Sequence, residues 1–121
     1  MKLQLKKILI ANRGEIALRV IRSCKELGIK TVTLYTEEEI DLPHAQAGDE
    51  SFCLGSGALS DTYLAQDRII KICKDLEVDA IHPGYGFLSE NAEFCRKVTA
   101  AGIKFIGHPR VYDSHGRQNG L

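Results

Sequence analysis

Two polar segments punctuated by glycine carry the residue types best suited to handling a ligand. Asn12-Arg13-Gly14-Glu15 sets an amide, a guanidinium and a carboxylate around one glycine. The segment from His82 to Asn91 sets an imidazole, a phenol and a carboxylate around two, in His82-Pro83-Gly84-Tyr85-Gly86 and then Ser89-Glu90-Asn91. The first segment is not a dinucleotide fingerprint, because a single glycine stands where three are needed for a pyrophosphate to reach the backbone, so NAD binding is not expected. In the second, Gly84 and Gly86 admit backbone conformations closed to other residues, and Tyr85 can offer a ring and a hydroxyl to a ligand. His82 precedes a proline at a strand end, a place where a histidine serves a backbone hydrogen bond more often than acid–base catalysis. Glu90 is read as a first-turn helix residue, whose ionised form the helix dipole favours.

Other reactive residue types form no recognisable constellation. There is no Walker lysine loop, and Asp41, His44, Asp49 and Glu50 lack the spacing of a metal site, reading instead as a solvated loop leading into a strand. Cys24, Cys53, Cys73 and Cys95 never form a Cys-x-x-Cys pair, and each lies in an apolar segment where a thiol acts as a small hydrophobe. Buried thiols in a reducing compartment are the expectation, and no catalytic residue or metal ligand is assigned.

The elements that must position these segments alternate along the chain. Ile8-Leu9-Ile10-Ala11 is an unbroken apolar run, as in a strand covered on both faces, and ends at Asn12. From Gly14 the period becomes helical through Ile16, Val20, Cys24 and Leu27, with Gly28 as a left-handed stop. Thr31 to Tyr35 is the second strand, Glu37-Glu38-Glu39 a solvated loop or short helix, and Ser51 to Leu54 a third strand before Gly55-Ser56-Gly57. Ser60 or Asp61 is expected to cap a helix with Leu64, Ile69, Ile72, Cys73 and Leu76 on its core side. Ala80-Ile81 makes a short strand, Ser89 is the expected cap of a helix burying Ala92, Cys95, Val98 and Ala101, and Gly102 ends it before a strand at Lys104-Phe105-Ile106. Five strands alternating with helices predict an α/β fold, a Rossmann-like doubly wound parallel sheet in the order 3-2-1-4-5. Ligands of such sheets bind beyond the strand carboxyl ends at the switch point, where the loops after the first and fourth strands meet.

Length and charge set the outer bounds. The 121 residues suit one domain, and 16 basic against 16 acidic side chains give no field to draw the protein onto nucleic acid or an anionic membrane. Lys2, Lys6 and Lys7 alternate with Leu3, Leu5 and Ile8 and read as the approach to the first strand rather than a basic arm. No apolar run approaches the roughly 20 residues of a membrane span, and no targeting peptide is evident. The cytoplasm is the first expectation, with the mitochondrial matrix as the alternative. From 108 to 121 almost nothing apolar remains, so a loosely ordered polar tail is predicted after a domain spanning 1–107.

Ile10-Ala11-Asn12-Arg13-Gly14-Glu15-Ile16-Ala17-Leu18-Arg19 and Ile81-His82-Pro83-Gly84-Tyr85-Gly86-Phe87-Leu88-Ser89-Glu90-Asn91 closely resemble the N-terminal, pre-ATP-grasp domain of biotin carboxylase. Gly48-Asp49-Glu50, Ser60 with Tyr63-Leu64, and Phe105-Ile106-Gly107 fall in that family's order and spacing. The resemblance implies a parent ligase that uses ATP, magnesium and bicarbonate to carboxylate biotin, as in acetyl-, propionyl- and methylcrotonyl-CoA carboxylases and pyruvate carboxylase. It implies that Gly84, Tyr85, Gly86 and Glu90 face the cleft near biotin, and that Arg19, Arg22 and Glu26 occupy dimer-interface positions. The implied partners are the remaining biotin carboxylase domains, a biotin carrier domain and a second copy. The implied cofactor sites lie mainly in domains that follow this one, so no cofactor and no activity are expected of the chain alone. After Gly107 the resemblance breaks: His108 stands where the family usually has proline, and the Met-Gly-Asp-Lys segment is missing, which suggests truncation, alternative splicing, a frameshift or an engineered end. Two other functions are weighed beside the inert fragment. One is an interaction protein that pairs with a carboxylase subunit through its first helix; the other is an independent nucleotide-binding module, which the missing glycine fingerprint disfavours.

Overall fold

The apolar run after Lys6 forms β1 (Lys7–Ile10), the central strand of a sheet whose neighbouring strands all pair in parallel. The computed structural model describes residues 5–84 and 88–106. In it β2 (Lys30–Tyr35), β3 (Glu50–Cys53), β4 (Ala80–His82) and β5 (Lys104–Phe105) complete a five-stranded sheet of order β3-β2-β1-β4-β5, as the element pattern predicts. The polar tail and the residues Tyr85 and Gly86 lie outside the described residues.

Side chains alternate across the sheet and divide the core in two. Leu9, Ala11, Val32, Leu34, Ile81 and Phe105 face α3 (Gln66–Asp75) and α4 (Ala92–Ala100), where Phe94 meets Phe105 edge to face at 5.8 Å. Ile8, Ile10 and Ala80 face α1 (Gly14–Glu26). The short α2 (Pro43–Ala47), which the sequence reading leaves as loop, also joins the α1 side.

Three expected details change. The α1 contact face centres on Ala17, Ile21 and Cys24, whereas Ile16 and Val20 sit at its edge and Leu27 is 74% exposed. Small Ala17 is fully buried under the helix, while the larger Ile16, Val20 and Leu27 line an open groove shared with Leu5, Ile8 and Ile106. Ser60 and Asp61 fall in a separate 3-10 turn, and α3 starts after Ala65 with no side-chain cap. Asn91 rather than Ser89 caps α4, its Oδ1 accepting from the Phe94 backbone N–H at 2.9 Å; Ser89 is buried two residues earlier.

All three long helices stop in the same way. The amides of Ile29, Val78 and Ile103 donate back to Cys24, Cys73 and Val98 at 2.9, 3.1 and 3.1 Å, a Schellman closure that delivers the chain directly into the next strand. The closure needs a left-handed residue, filled by Gly28 and Gly102 at φ 75° and 83°, and after α3 by Glu77 at φ 56°.

Candidate functional site

β1 and β4 are neighbours in register, Ile10 opposite His82, and the ladder runs one step further through the Ala11 N–H to the His82 carbonyl at 3.0 Å. The two glycine-containing segments therefore leave the sheet side by side at the switch point, as the predicted topology requires. Asn12 is only 3% exposed; its Nδ2 donates to the Pro83 carbonyl at 2.7 Å and its Oδ1 accepts from the Arg13 N–H at 2.7 Å. Gly84 lies against it at φ +72°, where a Cβ would stand 2.7 Å from Asn12 Nδ2 and 2.8 Å from Ile16 Cγ2. No side chain fits there, so glycine is required by contact as well as by dihedral.

His82 completes the root of this loop. Its Nδ1 accepts from the Gly84 N–H at 3.0 Å, the backbone role expected of it, and burial holds its pKa below the ordinary value, favouring the neutral ring that can accept. Glu90 is exposed and lies in the turn before α4, closed by the Asn91 N–H to Leu88 carbonyl bond at 3.1 Å, so first-turn stabilisation falls to Glu93 instead. Tyr85 and Gly86 are outside the described residues.

A second polar cluster escaped the sequence reading. Glu39, 6% exposed, accepts at Oε1 from the Tyr63 hydroxyl at 2.7 Å and from the Thr36 N–H at 3.0 Å, and at Oε2 from the Arg13 guanidinium at 3.0 Å. Arg13 also lies 5.5 Å over the Tyr63 ring. His44 is fully buried, not solvated; its Nε2 lies 3.1 Å from the Leu34 carbonyl, which can only accept, so this nitrogen carries the proton. Its Nδ1 has no hydrogen-bond partner among the described residues. Burial pushes the Glu39 carboxyl up, but the bonds from Tyr63, Thr36 and Arg13 outweigh it and hold its pKa below the ordinary value. Burial pushes His44 down, more strongly than Glu39 draws it up. The box thus holds an ionised carboxylate beside a neutral imidazole and ties the segment after β1 to the one after β2. Only the capping-box spacing Thr36-x-x-Glu39 hints at it locally; the contacts of Glu39 with Arg13 and Tyr63 and of His44 with Tyr63 span 26, 24 and 19 residues.

The remaining expected sites are simpler. Asp49 is exposed in the loop that leads into β3, as expected, and there accepts from the Thr31 N–H at 2.9 Å, tying that loop to β2. Among the described residues no group of three or more His, Cys, Asp or Glu could hold a metal ion. Cys24, Cys73 and Cys95 are buried and Cys53 is half-buried; burial raises the pKa of the first three, Cys73 to about 12, leaving unreactive thiols. Arg19, Arg22 and Glu26 form one exposed stripe on α1, where Arg19 Nε stands 3.6 Å from Glu15. No helix among the described residues is long and apolar enough to cross a membrane.

Fold and site together define an open, doubly wound α/β domain in which buried Asn12 bridges the segments after β1 and β4 at the switch point, and the turn after β1 carries one glycine instead of a dinucleotide fingerprint. The chain belongs to the family of biotin carboxylase N-terminal domains, which matches residues 4–111. It is 51% identical over 112 residues to a biotin carboxylase of Halalkalibacterium halodurans, covering 92% of this chain and 25% of that protein. It is also 51% identical over 104 residues to human mitochondrial pyruvate carboxylase, covering 85% of this chain and 9% of the relative. Among solved structures, the biotin carboxylase domain dimer of Hydrogenobacter thermophilus 2-oxoglutarate carboxylase, in complex with magnesium ADP and bicarbonate, superposes with a TM-score of 0.84. The two share 51% identity over 88% of this chain and 23% of the other. The chain spans about a quarter of the length of the biotin carboxylases it matches.

Proposed function

We propose that the chain serves as the N-terminal domain of a biotin-dependent carboxylase and presents the Gly84-Tyr85-Gly86 loop and Glu90 toward biotin. The complete enzyme, on this reading, uses ATP, magnesium and bicarbonate to carboxylate biotin on a carrier domain, with the nucleotide and metal held by the domains that follow. The observation that supports it is that the family's His82-Pro83-Gly84 segment leaves β4 beside Asn12 at the switch point, with Tyr85 and Gly86 next in sequence.

The described residues do not suit a nucleotide at this crevice. Asn12 and Ile16 pack directly against Gly84, and the turn into α1 has one glycine rather than the three of a dinucleotide fingerprint. The chain alone therefore performs no carboxylation, and the acceptor that receives the carboxyl group is chosen elsewhere. Free thiols, three of them buried, suit a reducing compartment such as the cytoplasm or the mitochondrial matrix.

Calorimetric titration of magnesium ATP and of biotin into the purified chain, with sedimentation to give its mass, tests this reading. Silence with both ligands is expected from a monomer. Tight ATP binding would overturn it in favour of an independent nucleotide module. A second reading, pairing through α1, is favoured by the exposed Arg19, Arg22 and Glu26 stripe and by the dimer of the Hydrogenobacter domain; a stable dimer of the chain would support it.

A further inference from the structure

We propose that Asn12 is a positioning residue for the substrate loop: its carboxamide fixes the Pro83–Gly84 root from which Tyr85 and Gly86 extend. The inference rests on the reading that this loop faces biotin, and it gives the Asn-Arg-Gly segment a task that reading leaves unassigned.

Both ends of the amide are specified. The Pro83 carbonyl can only accept and the Arg13 N–H can only donate, so Asn12 must supply a donor and an acceptor at once, at 2.7 Å each. Aspartate has the shape but no donor, and leucine has neither group. The ladder between β1 and β4 has already been completed by the Ala11 N–H to His82 carbonyl bond, so the amide acts on the loop beyond the strands. Gly84 rests on the amide with no room for a Cβ, and its own N–H is held by His82 Nδ1 at 3.0 Å. The frame beneath is fixed in turn, because Arg13 is anchored by Glu39 at 3.0 Å and stacks on Tyr63. A root held at the Pro83 carbonyl, the Gly84 amide and the Gly84 α-carbon gives a glycine-containing loop one starting geometry, which lowers the ordering cost of binding substrate.

Two measurements test the proposal. In the chain itself, Asn12→Asp and Asn12→Ala should speed amide hydrogen exchange at Gly84 by at least about tenfold, while Leu9 and Val32 in the central strands stay within about threefold. A uniform rise across the sheet would show a merely structural role and overturn it. In a full-length carboxylase carrying this domain, each variant should lower kcat/KM for biotin by about tenfold, mainly through KM, and leave the KM for ATP within about twofold. Equal losses for both substrates would also overturn it. Tyr85→Ala separates the two layers of the argument. If that variant leaves biotin kinetics intact, the loop reading falls and positioning falls with it. If it impairs them while Asn12→Asp and Asn12→Ala do not, positioning alone falls.

Discussion

Buried polar side chains decide how this domain responds to acid. His44 is enclosed with its Nδ1 unpaired among the described residues, and burial holds its pKa below about 6.5, the unfolded value. Between those two pKa values the unfolded chain binds more protons than the folded one. The contribution of neutral His44 is therefore complete above about pH 6.5 and is lost as pH falls toward the folded value. His82 has the same sign, and Glu39, whose pKa is also depressed, gives way only later, as pH falls through its own folded value from the ordinary carboxylate range near 4.3. Thermal unfolding followed from about pH 7 to 5 should show a falling midpoint, and His44→Gln, which keeps a donor for the Leu34 carbonyl, should flatten that slope. An unchanged slope would assign the response to other groups. At this scale sequence reasoning sees what is local. It assigns His82 its backbone role from one neighbouring proline and misplaces His44, because the groups enclosing it, Glu39 apart, come from β2 and from the turn bearing Tyr63.

Helices and strands were more legible than the contacts they make. β1 and β2 follow from apolar runs, and the stops of α1 and α4 follow from Gly28 and Gly102. The end of α3 was not readable, since its left-handed position is filled by Glu77, whose Cβ crowds the following carbonyl. That difference predicts a stabilising substitution. Glu77→Gly should raise stability by about 0.5–1 kcal/mol, the relief of left-handed strain less the extra chain entropy of glycine, measured by denaturant unfolding. A loss of stability would mean that the Glu77 side chain contributes more than its backbone costs. Periodicity likewise found α1 but turned its contact face: Ile16, Val20 and Leu27 fit the helical spacing, yet Ala17 and Ile21 are the residues that meet the sheet. Spacing reports which residues are apolar, whereas burial also depends on how closely a helix can approach its strands. The caps of α3 and α4 were misread for a related reason: each helix begins a few residues after the polar side chain that seemed to start it.

At the scale of the molecule, strand order was the most secure inference from sequence. Five parallel strands linked by short crossovers leave few arrangements, and the order β3-β2-β1-β4-β5 puts the two glycine-containing segments side by side. That juxtaposition gives the domain its proposed place in a carboxylase: a rigid platform with an anchored loop root, which contributes geometry while ATP and bicarbonate are handled by other domains. The most direct test replaces the corresponding domain of a full-length biotin carboxylase with residues 1–107 of this chain and measures ATP- and bicarbonate-dependent formation of carboxybiotin. Carboxylation within about tenfold of the parent, abolished or strongly reduced by Tyr85→Ala, is the expected result. A chimera that keeps the parent's mass and unfolding midpoint yet forms no carboxybiotin would contradict the account.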